Sequence, residues 1–312
     1  MKVLFLDTVH EVLQQRLSTL GFECIMAYDW SKDECINELE TIEGIVVRSR
    51  FPMDESFLSN APNLKFIARS GAGMENIDLK YTEKHNILCF NAPEGNRNAV
   101  AEHALGMLLA LFNNLTKCDR EVRSGIWERE KNRGIELDGK KIGIIGYGNT
   151  GSAFAKKLQG FDVEIYAYDK YKKGFGDSFV KEATMEQLFD KIDILSFHIP
   201  QNEETLFMGN HTFFNAFRKP IYIINLSRGK IVSTTSLVDM LKSKKIRGAC
   251  LDVLEYENSS FENAFHQQSA APLDYLLKSD AVIFSPHVGG WTEESYFKLS
   301  NILADKIINH FS

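Results

Sequence analysis

Short apolar runs alternate with amphipathic stretches along the whole chain. The first part contains five such runs, KVLFLD, FECIMAY, EGIVVRS, LKFIARS and ILCFNA, with helix-like or turn-like segments between them. Continuous apolar runs separated by helices indicate parallel strands that are buried on both faces. The first part of the chain is therefore expected to form one α/β unit.

A second α/β series follows a long helical stretch, NAVAEHALGMLLALFNNLTKCDREV, whose apolar positions recur at three- and four-residue steps. Its strand candidates are KIGIIG, VEIYAYD, DILSFH, YIINLS, GACLDV and AVIFSP. Six strands with intervening helices predict a doubly wound, Rossmann-type parallel sheet. The last stretch, TEESYFKLSNILADKIINHF, reads as an amphipathic helix, and Thr292 suits its N-terminus.

Composition narrows the class of partner. The chain has 312 residues, 44% hydrophobic and 25% charged, which is ordinary for two globular domains. A formal net charge of −6 argues against nucleic acid or an anionic membrane surface as the main partner. We expect no signal peptide and no membrane span, because no apolar run is long enough. The five cysteines form no CxxC pair, which suggests free thiols in the cytoplasm.

The segment GYGNTG matches the G-x-G-x-x-G pattern of dinucleotide-binding folds, and it lies between a strand and a helix. Its first glycine allows a tight turn, its second lets the backbone approach a pyrophosphate, and its third lets helix and strand pack closely. The helix N-terminus then offers N–H groups to the phosphates. A glycine-rich turn is the alternative, but the context predicts an NAD site. The residues assigned to it are Gly146, Tyr147, Gly148, Asn149, Thr150 and Gly151.

The second strand of this series ends at Asp169, at the spacing expected for the acid that binds the ribose. A carboxylate accepts hydrogen bonds from both ribose hydroxyls and repels a 2′-phosphate. NAD is therefore favoured over NADP, although Lys170 and Lys172 follow closely and weaken that preference.

Polar side chains also follow the other strands of the second series. Arg228 follows YIINLS, Asp252 and Glu257 follow GACLDV, His287 follows AVIFSP and His198 follows DILSFH. Ligands of open parallel sheets bind beyond the carboxyl ends of the strands. A guanidinium can hold a carboxylate and polarise a ketone, and a histidine oriented by a carboxylate can exchange a proton. Each residue could also be simply a surface charge, a turn cap or a loop residue. The prediction of hydroxy-acid chemistry therefore depends on all of them lying at the same edge of the sheet.

Seven blocks in order resemble the D-isomer-specific 2-hydroxyacid dehydrogenases, which use NAD. The blocks are RSGAGMENID, NAPEGNRNAVAEHALGMLLAL, LDGKKIGIIGYGNTG, HIPQNEET, INLSRGKIV, GACLDVLEYEN and SPHVGGWTEES. The resemblance implies two Rossmann- or flavodoxin-like α/β domains with doubly wound parallel sheets and an active site in the cleft between them. Residues 1–95 and 289–312 would form the substrate domain, and residues 96–288 the NAD-binding domain.

The resemblance also implies roles for individual residues. Arg228 would bind the substrate's carboxylate or keto oxygen, His287 would be the acid/base, and Glu257 would pair with it. Asp252 would lie near the nicotinamide carboxamide. Further cofactor contacts would be His198, Pro200 and Thr205, and a loop with backbone N–H groups for the substrate carboxylate would comprise Ser70, Gly71, Ala72 and Gly73. Two departures from the family pattern are Asn258, where the family usually has proline, and the loop over residues 258–273, which is longer than usual and close enough in sequence to Glu257 to reshape the cleft or a subunit contact.

The resemblance implies that the substrate is a small anionic 2-hydroxy or 2-keto acid. Arg48 and Arg50 in VVRSR resemble the phosphate-binding stretch of 3-phosphoglycerate dehydrogenases, and paired guanidinium groups would suit a phosphate dianion; a solvated basic loop is the alternative. We therefore expect D-3-phosphoglycerate as the substrate and no regulatory domain. The alternative within the family is reduction of glyoxylate or hydroxypyruvate. Trp291 would line the substrate pocket, with a core or interface aromatic as the alternative.

Three further alternatives concern function class and assembly. The same fold serves as an NAD-sensing transcriptional corepressor, whose members retain the catalytic residues. Formate dehydrogenase relatives carry glutamine where this chain has Glu257, which ranks them low. The apolar helix over residues 100–111 resembles the family's dimer-forming region and predicts a homodimer, unless the helix is simply buried within its own domain.

Overall fold

The computed structural model describes residues 1–257 and 271–311. They divide into two compact units. The first comprises Met1–Arg97 and the C-terminal segment from Trp291, and the second comprises Asn98–Glu257 and the segment that ends at Gly290. Each unit has its own parallel sheet. No helix among the described residues is both long enough and apolar enough to cross a membrane.

The first unit contains a five-stranded sheet in the order β2-β1-β3-β4-β5, with every pair parallel. This is the 2-1-3-4-5 order of flavodoxin-like folds. All five predicted strands are confirmed. The strands are β1 (Lys2–Phe5), β2 (Glu23–Met26), β3 (Gly44–Val47), β4 (Phe66–Arg69) and β5 (Leu88–Asn91); the helices between them are α1 (Val12–Thr19), α2 (Lys32–Glu38), α3 (Glu55–Leu58) and α4 (Leu79–Lys84).

The C-terminal helix, α12 (Glu293–Phe311), completes the core of the first unit. Its buried side chains pack in one cluster with residues of β1 and α1, including Leu303 and Ile307 of the helix. Thr292 Oγ1 accepts a hydrogen bond from the N–H of Ser295 at 3.1 Å. The predicted N-terminus at Thr292 is thus confirmed, because its side chain caps the first turn.

The second unit contains a seven-stranded parallel sheet in the order β12-β11-β10-β9-β6-β7-β8. Counted within the unit, this is the Rossmann order 3-2-1-4-5-6 with a seventh strand added beside the sixth. The strands are β6 (Lys141–Ile145), β7 (Glu164–Tyr168), β8 (Val180–Glu182), β9 (Ile194–Phe197), β10 (Ile221–Asn225), β11 (Ile246–Leu251) and β12 (Val282–Phe284). The remaining helices are α5 (Pro93–Phe112), which begins in the first unit, α6 (Leu115–Arg123), α7 (Asn149–Lys157), α8 (Met185–Lys191), α9 (His211–Ala216), α10 (Thr234–Lys242) and α11 (Ala271–Leu277).

Two details differ from the sequence-based expectation. Strand β8 was not predicted, because it lies at the sheet edge and only Val180 of its three residues is buried. The long helical stretch is also divided, since Asn114 takes a left-handed backbone conformation with φ of 52° between α5 and α6. Asparagine tolerates this conformation better than most residues, so it ends one helix and begins the next.

Helix α5 is buried within the second unit along much of the stretch predicted to form a dimer. Val100, Ala104, Leu108 and Leu111 belong to the apolar core around β6. Burial inside the unit therefore accounts for the apolar pattern of this helix.

Candidate active site

The glycine-rich segment forms the turn between β6 and α7. Gly146 has φ of +91°, which favours glycine. A Cβ atom on Gly151 would overlap the carbonyl oxygen of Gly146, so only glycine allows this approach. By contrast, nothing lies within 4 Å of the place where a Cβ on Gly148 would be. Gly148 is the N-cap of α7 and offers no side-chain cap. Open space beside an uncapped helix N-terminus fits a pyrophosphate.

We expect Gly151→Ala to weaken NADH binding more than tenfold and to lower the free energy of unfolding by about 1–3 kcal/mol. The added methyl group collides with backbone, which cannot rotate away. NADH fluorescence titration and thermal unfolding measure the two effects. Gly160→Ala is the control, because nothing lies within 4 Å of its Cβ position. Unchanged NADH affinity in Gly151→Ala would contradict the assignment.

Asp169 lies at the carboxyl end of β7, beside the glycine-rich turn. Its Oδ2 accepts the N–H of Tyr147 at 2.8 Å, and its Oδ1 accepts those of Tyr171 and Lys172, each at 2.9 Å. Burial acts to raise the pKa of Asp169, but these backbone N–H groups outweigh it and the pKa is lowered. The carboxylate is thus ionised and retains acceptor capacity for ribose hydroxyls.

The two lysines that follow Asp169 both have partners. Lys170 pairs with the carboxylate of Glu204, and Lys172 Nζ donates to the carbonyl of Tyr147 at 3.2 Å. Their proximity in sequence to Asp169 therefore gives little support for a 2′-phosphate site.

His198 joins the end of β9 to the start of α7. Its Nδ1 lies 3.2 Å from Thr150 Oγ1 and its Nε2 lies 2.8 Å from Ser196 Oγ. Burial lowers the pKa of His198 to about 3, so the ring is neutral. The histidine thereby links the end of β9 to the first turn of α7 and orients a residue of the glycine-rich segment. Thr205 Oγ1 donates to the carbonyl of Pro200 at 2.7 Å and closes the loop that follows.

Three side chains predicted to do chemistry follow neighbouring strands. Arg228 follows β10, Glu257 follows β11 and His287 follows β12, and these strands are adjacent in the sheet. His287 Nδ1 lies 2.8 Å from Glu257 Oε2. Glu257 Oε1 accepts the N–H of Leu254 at 2.5 Å, which fixes the carboxylate. An imidazole held by an ordered carboxylate is the arrangement that general acid–base catalysis requires.

The loop of Arg228 lies against the loop of Glu257. A Cβ on Gly229 would overlap the carbonyl oxygen of Leu254, so the glycine permits this contact. The side chain of Asn225, which is 1% exposed, holds the Arg228 loop from within. Its Nδ2 donates to the carbonyl of Arg228 at 2.9 Å, and its Oδ1 accepts the N–H of Ser227 at 3.1 Å. The structure thus brings the loops of all three predicted residues together.

The model of the NAD-binding domain of the D-isomer specific 2-hydroxyacid dehydrogenases matches residues 105–289, which is more than half of the chain. The chain belongs to this family. The resemblance recognised in the seven sequence blocks is therefore confirmed, and so are the two-sheet fold and the NAD-binding domain.

Named relatives within the family differ in their substrates. D-3-phosphoglycerate dehydrogenase of Archaeoglobus fulgidus is 33% identical over 99% of this chain and 57% of its own length. Glyoxylate reductase of Thermofilum pendens is 31% identical over 90% of this chain and 82% of its own length. The crystal structure of D-lactate dehydrogenase from Aquifex aeolicus, complexed with NAD and lactic acid, matches with a TM-score of 0.83 at 26% identity, covering 100% of this chain and 95% of that one. The chain spans little more than half the length of the curated phosphoglycerate dehydrogenases it matches.

In this member of the family, Asp252 holds the loop that carries His287. The carboxylate of Asp252 is buried, and it accepts the N–H groups of Val288 at 2.9 Å and Gly289 at 2.8 Å. Its main-chain carbonyl accepts the N–H of His287, also at 2.8 Å. Both carboxylate oxygens of Asp252 therefore already have donors, so this residue orders the His287 loop in addition to its expected contact with the cofactor.

The first unit of this family member has a second set of polar groups, at the ends of β1, β3 and β4. The carboxylate of Asp7 accepts the backbone N–H groups of Arg48, Ser49 and Arg50 and so shapes the loop after β3. Arg69 Nε donates to the carbonyl of Arg48 at 3.1 Å. Sequence reasoning missed Asp7, Arg69 and, in the second unit, Asn225. The available signal was a polar residue at the end of a buried apolar run.

The two arginines of VVRSR have different surroundings. The Arg48 guanidinium lies 3.9 Å from the centre of the Trp291 ring, and Trp291 is 65% exposed. Arg50 instead donates to the carbonyls of Leu6 at 2.9 Å and Ala27 at 2.7 Å, and also to that of Trp30. The expectation of a paired guanidinium site is therefore revised: the Arg50 head group is occupied by main-chain carbonyls.

The segment from Ser70 to Gly73 follows β4 as predicted. The N–H of Ser70 donates to the carbonyl of Val47 at 2.8 Å, and that of Gly71 donates to the carbonyl of Arg69 at 2.9 Å. A substrate carboxylate at this loop would thus use the N–H groups of Ala72 and Gly73. Asn258 and most of the long loop over residues 258–273 lie outside the described residues, and residues 271–273 belong to α11.

Proposed function

We propose that the protein is an NAD-dependent oxidoreductase that interconverts a D-2-hydroxy acid and its 2-oxo acid. The observation that carries this proposal is the 2.8 Å contact between His287 Nδ1 and Glu257 Oε2 at the carboxyl edge of the NAD-binding sheet. A half-buried carboxylate that is held by a backbone N–H and lies on one ring nitrogen directs the other nitrogen toward a substrate.

Each of the three residues has one task in the proposed reaction. Arg228 binds the carboxylate or the keto oxygen of the substrate through its planar fork of N–H donors. His287 exchanges a proton between its Nε2 and the substrate oxygen, while its Nδ1–H remains hydrogen-bonded to the carboxylate of Glu257. The hydride is exchanged with NAD, which the glycine-rich turn and Asp169 would hold.

A panel of 2-oxo acids tests the proposed reaction. NADH oxidation is followed with 3-phosphohydroxypyruvate, hydroxypyruvate, glyoxylate and pyruvate, and the reverse reaction compares D- and L-hydroxy acids. Turnover restricted to D-hydroxy acids is the expected result. Binding of NADH without turnover of any substrate would instead favour the other function class, an NAD(H)-sensing, corepressor-like protein.

We further propose that the first unit binds the substrate and that this substrate is D-3-phosphoglycerate. The Archaeoglobus relative and the position of Arg48 at the end of β3 support this choice. Reduction of glyoxylate or hydroxypyruvate is the second candidate. It is favoured by the Thermofilum relative and by the engagement of Arg50, whose guanidinium is held by main-chain carbonyls.

We expect Arg48→Ala to lower kcat/KM for 3-phosphohydroxypyruvate about 10- to 100-fold and to change that for hydroxypyruvate far less. A charge-assisted contact to phosphate is lost only for the first substrate. Arg50→Ala should instead lower the melting temperature, because three carbonyls each lose a charged donor. The exposed Lys80→Ala is the control for loss of charge. Equal losses for both substrates in Arg48→Ala would argue against a phosphate site at this residue.

Assembly as a homodimer and a cytoplasmic location are also proposals. The support for a dimer comes from apolar side chains exposed on α6 and the loop after it, namely Leu115, Val122, Ile126 and Trp127. A second copy of the chain that covers them would remove this apolar surface from water. Light scattering of the purified protein tests the dimer. Five free cysteines, Cys24, Cys35, Cys89, Cys118 and Cys250, agree with a reducing compartment.

A further inference from the structure

Helix α5 carries a histidine whose ring lies against the loop of His287. His103 Nε2 is 2.8 Å from Ser285 Oγ, and Ser285 Oγ is 2.5 Å from Asp252 Oδ1. An ionised carboxylate only accepts, so the single hydroxyl proton of Ser285 points to Asp252. His103 must then supply the proton of its own contact. The chain of hydrogen bonds runs from His103 through Ser285 to Asp252.

Asp252, where this series of hydrogen bonds ends, is the group that holds the loop of His287. Asp252 accepts hydrogen bonds from the backbone of His287, Val288 and Gly289, as described above. His287 itself has φ of +56°. That left-handed conformation is unfavourable for a non-glycine residue, so surrounding contacts must maintain it. The bonds of Asp252 are contacts of this kind.

We propose that His103 is a positioning residue for His287, acting through Ser285 and Asp252. The inference rests on the proposed function, since the residue being positioned is the proposed acid/base. His103 keeps the Ser285 hydroxyl turned toward the carboxylate. Without His103, the Ser285 oxygen loses its donor, so the hydroxyl becomes a weaker donor to the Asp252 carboxylate, which also loses the His103 Nε2 that lies 3.7 Å from its Oδ1.

The surroundings of His103 separate this role from simple packing. Its side chain is 31% exposed, so an apolar replacement of similar size removes the hydrogen bond and leaves most of the packing on α5 in place. If His103 were purely structural, its replacement would lower stability and all kinetic parameters together. If it is a positioning residue, its replacement lowers kcat while NADH affinity stays near that of the wild type.

The test compares His103→Leu with His103→Gln. Glutamine presents an N–H donor near the place of Nε2, and leucine presents none. We expect kcat to fall about tenfold in His103→Leu, with the Kd for NADH within about twofold of the wild type, and to recover in His103→Gln. Ser285→Ala should lower kcat similarly, and the double variant His103→Leu/Ser285→Ala should be no worse than either single variant.

A readout without turnover keeps this inference distinct from the proposed function. In protein labelled with ¹⁵N at histidine, the ring signals of His287, assigned with His287→Gln, should shift in His103→Leu and return in His103→Gln. The control is His211→Leu, which removes contacts to Ser236 at 2.8 Å and Asp239 at 2.9 Å in the same unit. Unchanged His287 signals in His103→Leu, or equal shifts in the His211 control, would overturn the inference. Absence of turnover in the wild type would overturn the proposed function alone.

Discussion

His287→Gln should lower kcat by about 10²–10⁴-fold while NADH binding stays near that of the wild type. Glutamine has no group that titrates near neutral pH, so the substrate oxygen loses its proton donor and acceptor. The side chain lies on the loop after β12, away from the glycine-rich turn between β6 and α7, which explains why cofactor affinity is preserved. Steady-state kinetics with the best 2-oxo acid and NADH fluorescence titration give the two quantities.

The matched control for this experiment is His85→Gln, an exposed histidine after α4 that should keep full activity. Glu257→Gln should fall between the two, because the amide oxygen can still accept the N–H of Leu254 while the charge beside the imidazole is lost. Turnover that survives in His287→Gln would show that another group exchanges the proton.

Arg228→Gln should lower kcat/KM for the 2-oxo acid by about 10²–10³-fold. The guanidinium is the only proposed cation at the edge of the second unit's sheet that can both bind the substrate's carboxylate and stabilise charge on the keto oxygen. Arg228→Lys should recover only part of the loss, because an ammonium group lacks the planar fork of donors. Kinetics at varied substrate concentration separate the effects on kcat and KM.

Arg247→Gln serves as the control for this second prediction. Arg247 is an exposed arginine near the amino end of β11, in the same sheet but at the opposite edge from Arg228. It should leave kcat/KM unchanged. A loss in Arg228→Gln no larger than in this control would remove Arg228 from the proposed reaction.

The fold was predictable because its strands are buried on both faces. Parallel strands such as β3 and β10 are buried at every position, and a nearly continuous apolar run between helices is a strong local signal. Strand β8 escaped prediction for the opposite reason, since an edge strand buries one residue and shows no run. The break at Asn114 was also hidden, because a helical pattern continues through it and only the left-handed backbone divides the two helices.

The positions of the candidate site residues were predictable wherever a residue follows a strand. Parallel strands end at one edge, so Arg228, Glu257 and His287 had to lie along it once the sheet was recognised. The residues that orient them were not predictable in the same way. Asn225 and His103 act through hydrogen bonds to loop residues, and no spacing in the sequence indicates which residues form these bonds.

The sequence by itself determined the two parallel sheets, the NAD motif and the three side chains at its edge, because these depend on local apolar runs and on spacing along one strand–turn–helix unit. Only the tertiary structure decided what Arg48 and Arg50 do. Both follow the same strand two residues apart, yet one stacks on Trp291 and the other bonds three carbonyls. The physical reason is that a long, flexible side chain takes its partners from segments distant in sequence, and only folding brings those segments within reach.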